Sequence, residues 1–206
     1  MLDAAIEVFS ARGFHAASMD EIAERAGISK PLLYLYLGSK EQTFSVCVAR
    51  EADRLVDTIG AATSGSTADP ADRLWRGLTA FFTFVATNRS SWIVLYQQAR
   101  SHSDAVAERL ARVRQEIIGT VTDLVLDAVT ARATVTAATG RGGYAAQRRE
   151  SAATAHTIVG AADAMAEWAL TIPDEQPQTT ARRLMDIIWI GLERHAAGEH
   201  FTIPEP

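Results

Sequence analysis

The chain has 206 residues, 48% of them hydrophobic and 22% charged, with a net charge of −5. That is enough sequence for one or two domains and too apolar for a disordered chain. The single cysteine, Cys47, leaves no internal disulfide, no Cys/His set has zinc-finger spacing, and no stretch reaches the roughly 18 uninterrupted apolar residues of a membrane span. No basic segment followed by a long apolar run opens the chain, so a cytoplasmic protein with no metal, no cofactor and no membrane partner is expected. The acidic total argues against general phosphate binding, which Lys and Arg drive by releasing counterions. From Arg25 to Lys40, however, Arg25, Lys30 and Lys40 stand without an acid, a local charge of +3.

Ala, Leu, Glu, Gln and Arg are plentiful, and no alternating Val/Ile/Thr run is bounded by hairpin turns, so an all-α chain of about nine helices is expected. Breaks are read at Arg12-Gly13, Ala26-Gly27, Leu37-Gly38, the Ser/Gly/Thr stretch near 63–69, Arg100 to Ser103, Thr139 to Gly143 and Ile172 to Pro177. The first helix places Leu2, Ala5, Ile6 and Phe9 on one face, and Gly13 stands where a left-handed cap belongs. Ser18 begins the second helix, with Glu21 completing a capping box, and Ile22, Ala23 and Ala26 supply its buried face. Gly27 allows a tight turn, and Ser29 caps a short third helix with Pro31 in its first turn and Leu33 and Leu37 pointing inward. Ser39 and Gln42 repeat the capping-box spacing at the start of the fourth helix.

A short helix anchored by Leu33 and Leu37 leaves Lys30, Pro31, Leu32, Tyr34 and Tyr36 on its other faces. That division suits a helix-turn-helix, in which one helix enters a major groove about 12 Å wide and the preceding one braces it. Lys30 can reach a guanine edge or a phosphate, the tyrosine hydroxyls can donate to phosphate oxygens, and Lys40 adds charge beside the free N–H groups of the next helix. Taken singly, each of these residues is equally suited to an ordinary amphipathic or solvated role.

The run LDAAIEVFSARGFHAASMDEIAERAGISKPLLYLYLGSKEQTF resembles the tetracycline-repressor (TetR) family of bacterial regulators. The likeness lies in an ordered set: helix, Gly turn, S-x-x-x-I-A, A-G-I-S, L-Y-x-Y and S-K-E. The resemblance implies that Tyr34 and Lys40 hold phosphates, that Lys30, Pro31, Leu32 and Tyr36 face the groove, and that Ser18 and Met19 contact the DNA backbone, with Ser29 in the same interface. Leu37 departs from the family's usual Phe, and the basic arm common before the first helix is missing or lies outside this sequence. The expected organisation is a helix-turn-helix DNA-binding domain over 1–46 and a helical effector-binding and dimerisation domain over 47–206.

In the body, residues 70–89 carry Trp75, Leu78, Phe81, Phe82, Phe84 and Val85, followed by Trp92, Leu95 and Tyr96. These aromatics are either core or the frame of an apolar cavity, with Trp75, Phe82, Trp92 and Tyr96 as its candidate wall. Gln97, Arg100, His102, His156, Asp163 and Glu167 are polar groups on the same or neighbouring helices. His156, Gly160, Asp163 and Glu167 share one helix face, so His156 and Asp163 can orient a ligand or belong to a solvated or intersubunit stripe. Ala152, Ala155, Val159, Ala162, Ala166 and Ala169 form a small-residue seam that lets another helix come close. The last helix, with Leu184, Ile187, Ile188, Trp189, Ile190 and Leu192, is too widely apolar for burial on one side. The resemblance implies a dimer built from the last two long helices, which makes Ala155, Val159, Ala162, Ala166, Leu184, Ile188 and Leu192 the candidate interface. An intrachain core is the alternative.

No H-E-x-x-H, G-x-S-x-G, P-loop or G-x-G-x-x-G signature occurs, Gly140 to Gly143 is read as a loop without phosphate-cradle context, and His15, His102, His156, His195 and His200 are scattered. A catalyst is not expected. The expected function is a transcriptional regulator, by resemblance a repressor, that binds a palindromic double-stranded DNA operator as a homodimer and is released by a small-molecule effector. The competing reading is a helical ligand-binding or scaffolding protein with a vestigial helix-turn-helix.

Overall fold

The computed structural model describes residues 1–65, 69–99, 104–133 and 141–196. Among them every regular element is helical: α1 (Leu2–Ala16), α2 (Met19–Arg25), α3 (Lys30–Leu37), α4 (Lys40–Thr63), α5 (Pro70–Thr87), α6 (Arg89–Ile93) running into a π-helical turn (Val94–Gln98), α7 (Asp104–Ala133), α8 (Arg141–Ala169) and α9 (Pro177–Ala196). The all-α expectation holds. The breaks expected at Arg100 to Ser103 and at Thr139–Gly140 fall outside the described residues. Arg141 to Gly143, expected in a loop, instead open α8. Glycines are tolerated in a first turn, whose N–H groups have no helical partner to lose.

The residues gather into two compact units, Met1–Thr58 with Phe84–Gln115 and Ile59–Thr83 with Glu116–Pro206. The core of the first is built from Ile6, Val8 and Phe9 of α1, Ile22 of α2, Leu33 of α3, and Phe44, Cys47 and Val48 of α4. Phe9 meets the ring of Phe44 edge-on at 5.0 Å, and Phe14 lies 5.2 Å from Phe44. Gly13 makes the second contact possible. Its φ of 75° is positive as expected, but its ψ of 161° is extended rather than left-handed helical, and the Ala17 N–H donates to its carbonyl over 3.1 Å. The helix thus kinks at Gly13 before one further turn, and Phe14 packs on the cluster.

Local chemistry fixes the next boundaries. The Ser18 hydroxyl accepts from the Glu21 N–H at 3.1 Å, but the Glu21 carboxylate takes Arg12 Nε at 3.2 Å, so only half of the expected capping box forms. At Ser39 and Gln42 both halves form, at 3.2 and 2.8 Å. Gly38 has a φ of 70°, and a Cβ there would lie 2.0 Å from Gln42 Oε1, so the full box needs glycine before it. Ser29 holds the N-cap position of α3, but its hydroxyl makes no capping bond.

A fully buried carboxylate, Glu51, sits in α4 of this unit. It accepts from Arg50 Nε at 2.7 Å and Arg54 Nη1 at 2.8 Å. Arg50 continues to Asp3 on α1 at 2.6 Å, and Arg54 to the Asn88 side chain just before α6 at 3.1 Å. Farther on, Gln98 Nε2 in the π turn donates to the Phe9 carbonyl at 2.7 Å. Both links tie the α6 region to the first helices of the same unit.

In the second unit Phe81 and Phe82 pack edge to face at 5.1 Å, and Leu74, Leu78, Ile118, Val121, Leu124 and Val125 are buried with them. Arg73 pairs with Asp127 and Arg148 with Asp123. Helices α8 and α9 pack on one another. The small-residue seam corrects the sequence reading: Ala155, Val159, Ala162 and Ala166, together with Leu184 and Leu192, are buried within the single chain, and Ile188 is half-buried. Small side chains do admit a close neighbour, but that neighbour belongs to the same chain. Large side chains that stay exposed on these helices include Tyr144 near the start of α8, Trp168 near its end, and Ile187 and Ile190 on α9.

Candidate nucleic-acid interface

Helices α2 and α3 are joined by a turn through Gly27, whose φ is 66°. Leu33 is the buried anchor of α3, whereas Leu37, expected to share that role, is only half-buried. Pro31, Leu32, Tyr34 and Tyr36 are all exposed, as expected of a helix free to meet a groove. Leu35, absent from the sequence-based set, is the most open large apolar side chain among the described residues, at 77%. It lies four residues from Pro31 and two from the anchor Leu33, which on a helix puts Pro31 and Leu35 together on the outward face. The position opposite an anchor is the signal that could have found it.

The basic groups of this region all have partners in the protein. Lys30 Nζ lies 2.9 Å from the Asp20 carboxylate, which pushes the lysine pKa up, and Arg25 reaches Glu7 at 2.5 Å. Exposed pairs of this kind contribute little to stability and yield readily to a competing phosphate. Lys40 is held differently. Its ammonium donates to the carbonyls of His15 at 3.2 Å and Ala17 at 3.1 Å and lies 4.6 Å from the centre of the Phe14 ring. Two of its three donors therefore pin the start of α4 to the end of α1.

Ser18 and Ser29 are exposed at the starts of α2 and α3. The Ser18 oxygen accepts from the backbone, which leaves its O–H as a donor toward solvent. Met19 differs from the expectation: its side chain is buried, and its sulfur lies 3.9 Å from the Thr43 hydroxyl. An apolar side chain at the first helical position faces the three-helix core, so only the Met19 backbone can meet DNA.

The candidate effector residues divide between the units. Trp92 is buried and stacks on Tyr96 with centroids 3.9 Å apart, and Arg114 donates to the Tyr96 hydroxyl at 3.1 Å, all in the first unit. In the second, Phe82 is buried and Trp75 half-buried. His156 is exposed, as a solvated or intersubunit stripe would have it, rather than turned into the interior beside a ligand. Asp163 is half-buried, and its carboxyl is pushed up to about 7, first by burial and then by the negative charge of Glu167. Arg100, His102 and His200 lie outside the described residues. Among the described residues no group of His, Cys, Asp or Glu could hold a metal, and no helix is long and apolar enough to cross a membrane.

Comparison with known proteins gives two family matches. Residues 1–46 match the model of the bacterial regulatory proteins of the tetR family, and residues 70–191 match a tetracyclin repressor-like C-terminal domain. The crystal structure of a TetR-like transcriptional regulator from Rhodococcus sp. RHA1 is 34% identical, with a TM-score of 0.74 over 96% of this chain and 94% of that one. The transcriptional activator FasR of Mycolicibacterium smegmatis is 35% identical over 125 residues, 61% of this chain and 57% of that protein. The chain spans about half the length of the curated relatives it matches. FadR of Bacillus subtilis, solved in complex with stearoyl-CoA, shares the fold at 16% identity, with a TM-score of 0.70 over 97% of each chain.

Proposed function

The chain belongs to the tetR family of bacterial regulatory proteins, and we propose that it is a helix-turn-helix transcriptional regulator that binds a palindromic operator as a homodimer and responds to a small-molecule effector. The observation that carries this reading is α3: one buried anchor, Leu33, beneath a row of exposed side chains, following a tight glycine turn. On this reading residues 1–46 contact DNA through Ser18, Ser29, Lys30, Pro31, Leu32, Tyr34 and Tyr36, with the third donor of Lys40 on a phosphate. Two copies are needed because one short helix reads too little, and paired recognition helices about 34–36 Å apart read two half-sites. The exposed apolar side chains Trp168, Ile187 and Ile190 are the natural dimer face, since α8 and α9 already bury their small-residue seam within the chain.

The effector is a mostly apolar molecule, matched to the aromatic body, with Asp163 as a polar anchor; no cofactor or metal is required. A ligand that prefers the conformation with the wrong half-site spacing weakens DNA binding, and DNA weakens the ligand by the same factor. Repression is the simplest output. Activation is the second reading, favoured by the identity to FasR, which is named an activator. Mobility shift of DNA upstream of the protein's own gene, followed by run-off transcription from that template with and without protein, separates the two. Failure to bind any specific duplex would leave a helical scaffold with a vestigial motif.

A further inference from the structure

We propose that α3 reads each operator half-site chiefly by apolar contact of Leu35 and Pro31 with thymine 5-methyl groups, rather than by hydrogen bonds to guanine or adenine edges. The proposal rests on the DNA-binding reading above and adds which feature of the bases is recognised. The sequence of α3, KPLLYLYL, contains no Arg, Asn, Gln, Asp, Glu, Ser or Thr. Apart from Lys30 it therefore lacks the side chains that make bidentate bonds to guanine or adenine or that accept from cytosine. Its one cation, Lys30, stands at the N-terminus against Asp20. What the helix offers is carbon: Leu35 is 77% exposed, with Pro31 one turn before it on the same face and Leu32 also open.

The thymine methyl is the one apolar group on a base edge in the major groove, and contact with it separates T·A from the other pairs. Exposed leucine gains from burial only when a partner arrives, and among the described residues this one stays 77% exposed. The surroundings favour DNA as that partner over another protein. Tyr34 and Tyr36 flank the apolar row with hydroxyls that can donate to phosphates, and the stretch from Arg25 to Lys40 carries three basic residues and no acid. An apolar centre with a rim of donors and cations complements a groove whose floor carries methyls and whose walls carry phosphates.

The test uses the full chain and a duplex that it selects from a random-sequence library. That duplex is then resynthesised with deoxyuridine for thymidine, one position at a time, so that only the methyl is lost. Binding by fluorescence anisotropy is expected to weaken about fourfold for each contacted methyl, the transfer value of one buried carbon. The losses should cluster at the centre of each half-site. Leu35→Ala, which leaves the exposed face and not the core, should bind thymidine and deoxyuridine equally at its own position. Equal affinity for both duplexes throughout would overturn the proposal and leave operator binding intact. A methyl effect that persists in both Leu35→Ala and Pro31→Ala would also overturn it. Selection of no sequence above background would overturn the DNA-binding reading with it. Loss of self-association in Leu35→Ala, with operator binding unchanged, would assign the face to a protein contact instead.

Discussion

The ammonium of Lys40 donates to the carbonyl of Ala17 over 3.1 Å, joining the first residue of α4 to the C-cap of α1. The same group bonds the His15 carbonyl and sits over Phe14, so this lysine has a structural role in addition to the proposed phosphate contact. Lys40→Ala is accordingly expected to act twice. Loss of the charge-assisted bonds and the ring contact should lower unfolding free energy by about 1–2 kcal/mol in urea titration. The salt dependence of operator binding should fall by about 0.9 per subunit, or about 1.8 for a dimer. A drop in stability with an unchanged salt slope would leave Lys40 structural only.

Glu51 supplies a second test. Its buried carboxylate is shared by Arg50 and Arg54, which reach α1 and the start of α6. Removing one member of a buried pair is costly because the remaining charge loses its partner in a poor solvent. Here both arginines are partly exposed and can rehydrate. Glu51→Ala is therefore expected to lose about 2–3 kcal/mol in urea denaturation, short of the upper range for such pairs. Loss of less than about 0.5 kcal/mol, the usual scale of surface changes, would show that the network does not hold α4 in place.

These two networks also show what the sequence could and could not convey. The boundaries of α1 to α4 were legible because Gly13, Ser18, Gly27 and the Ser39–Gln42 box act within a few residues of themselves. Glu51 was not legible: its burial depends on an arginine that reaches Asp3 and another that reaches Asn88, and no periodicity reports such pairings. The alanine seam was half legible. Its spacing announced a close helix approach, while the identity of the approaching helix is set by tertiary packing. The burial of the Met19 side chain was not legible, because a first-turn position does not say which side of the helix is covered, whereas the openness of Leu35 was readable from its place opposite the anchor Leu33.

Asp163 makes stability depend on pH in an unusual direction. Its carboxyl titrates near 7 in the folded chain, against an ordinary 3.8, because burial and then the Glu167 charge disfavour ionisation. Between those values the folded state binds more protons than the unfolded one, so this group's contribution is complete below about 3.8 and is lost as pH rises through about 7. Asp163→Asn removes the titration. At about pH 8 the variant should melt higher than the parent by at least about 2 °C, a gap that closes toward acid pH. Parallel melting curves across the whole range would contradict the assignment.

The final prediction concerns the dimer face, where burial separates two otherwise similar substitutions. Ala162 is buried inside the chain, so Ala162→Glu forces a charge into the α8 core and is expected to unfold the protein rather than release folded monomers. Ile187, at 73% exposure, can accept a charge at little cost to the single chain. If α9 meets a partner there, Ile187→Glu should weaken dimerisation on the order of 30-fold, the scale of a centrally placed apolar contact. Its helical circular dichroism should stay unchanged. Operator affinity should fall with it, because each monomer presents only one α3 to a two-part site. Sedimentation equilibrium read beside the dichroism decides the matter: a folded, fully dimeric Ile187→Glu would move the interface away from this face of α9, whereas a folded monomer with weak operator binding would fix it there.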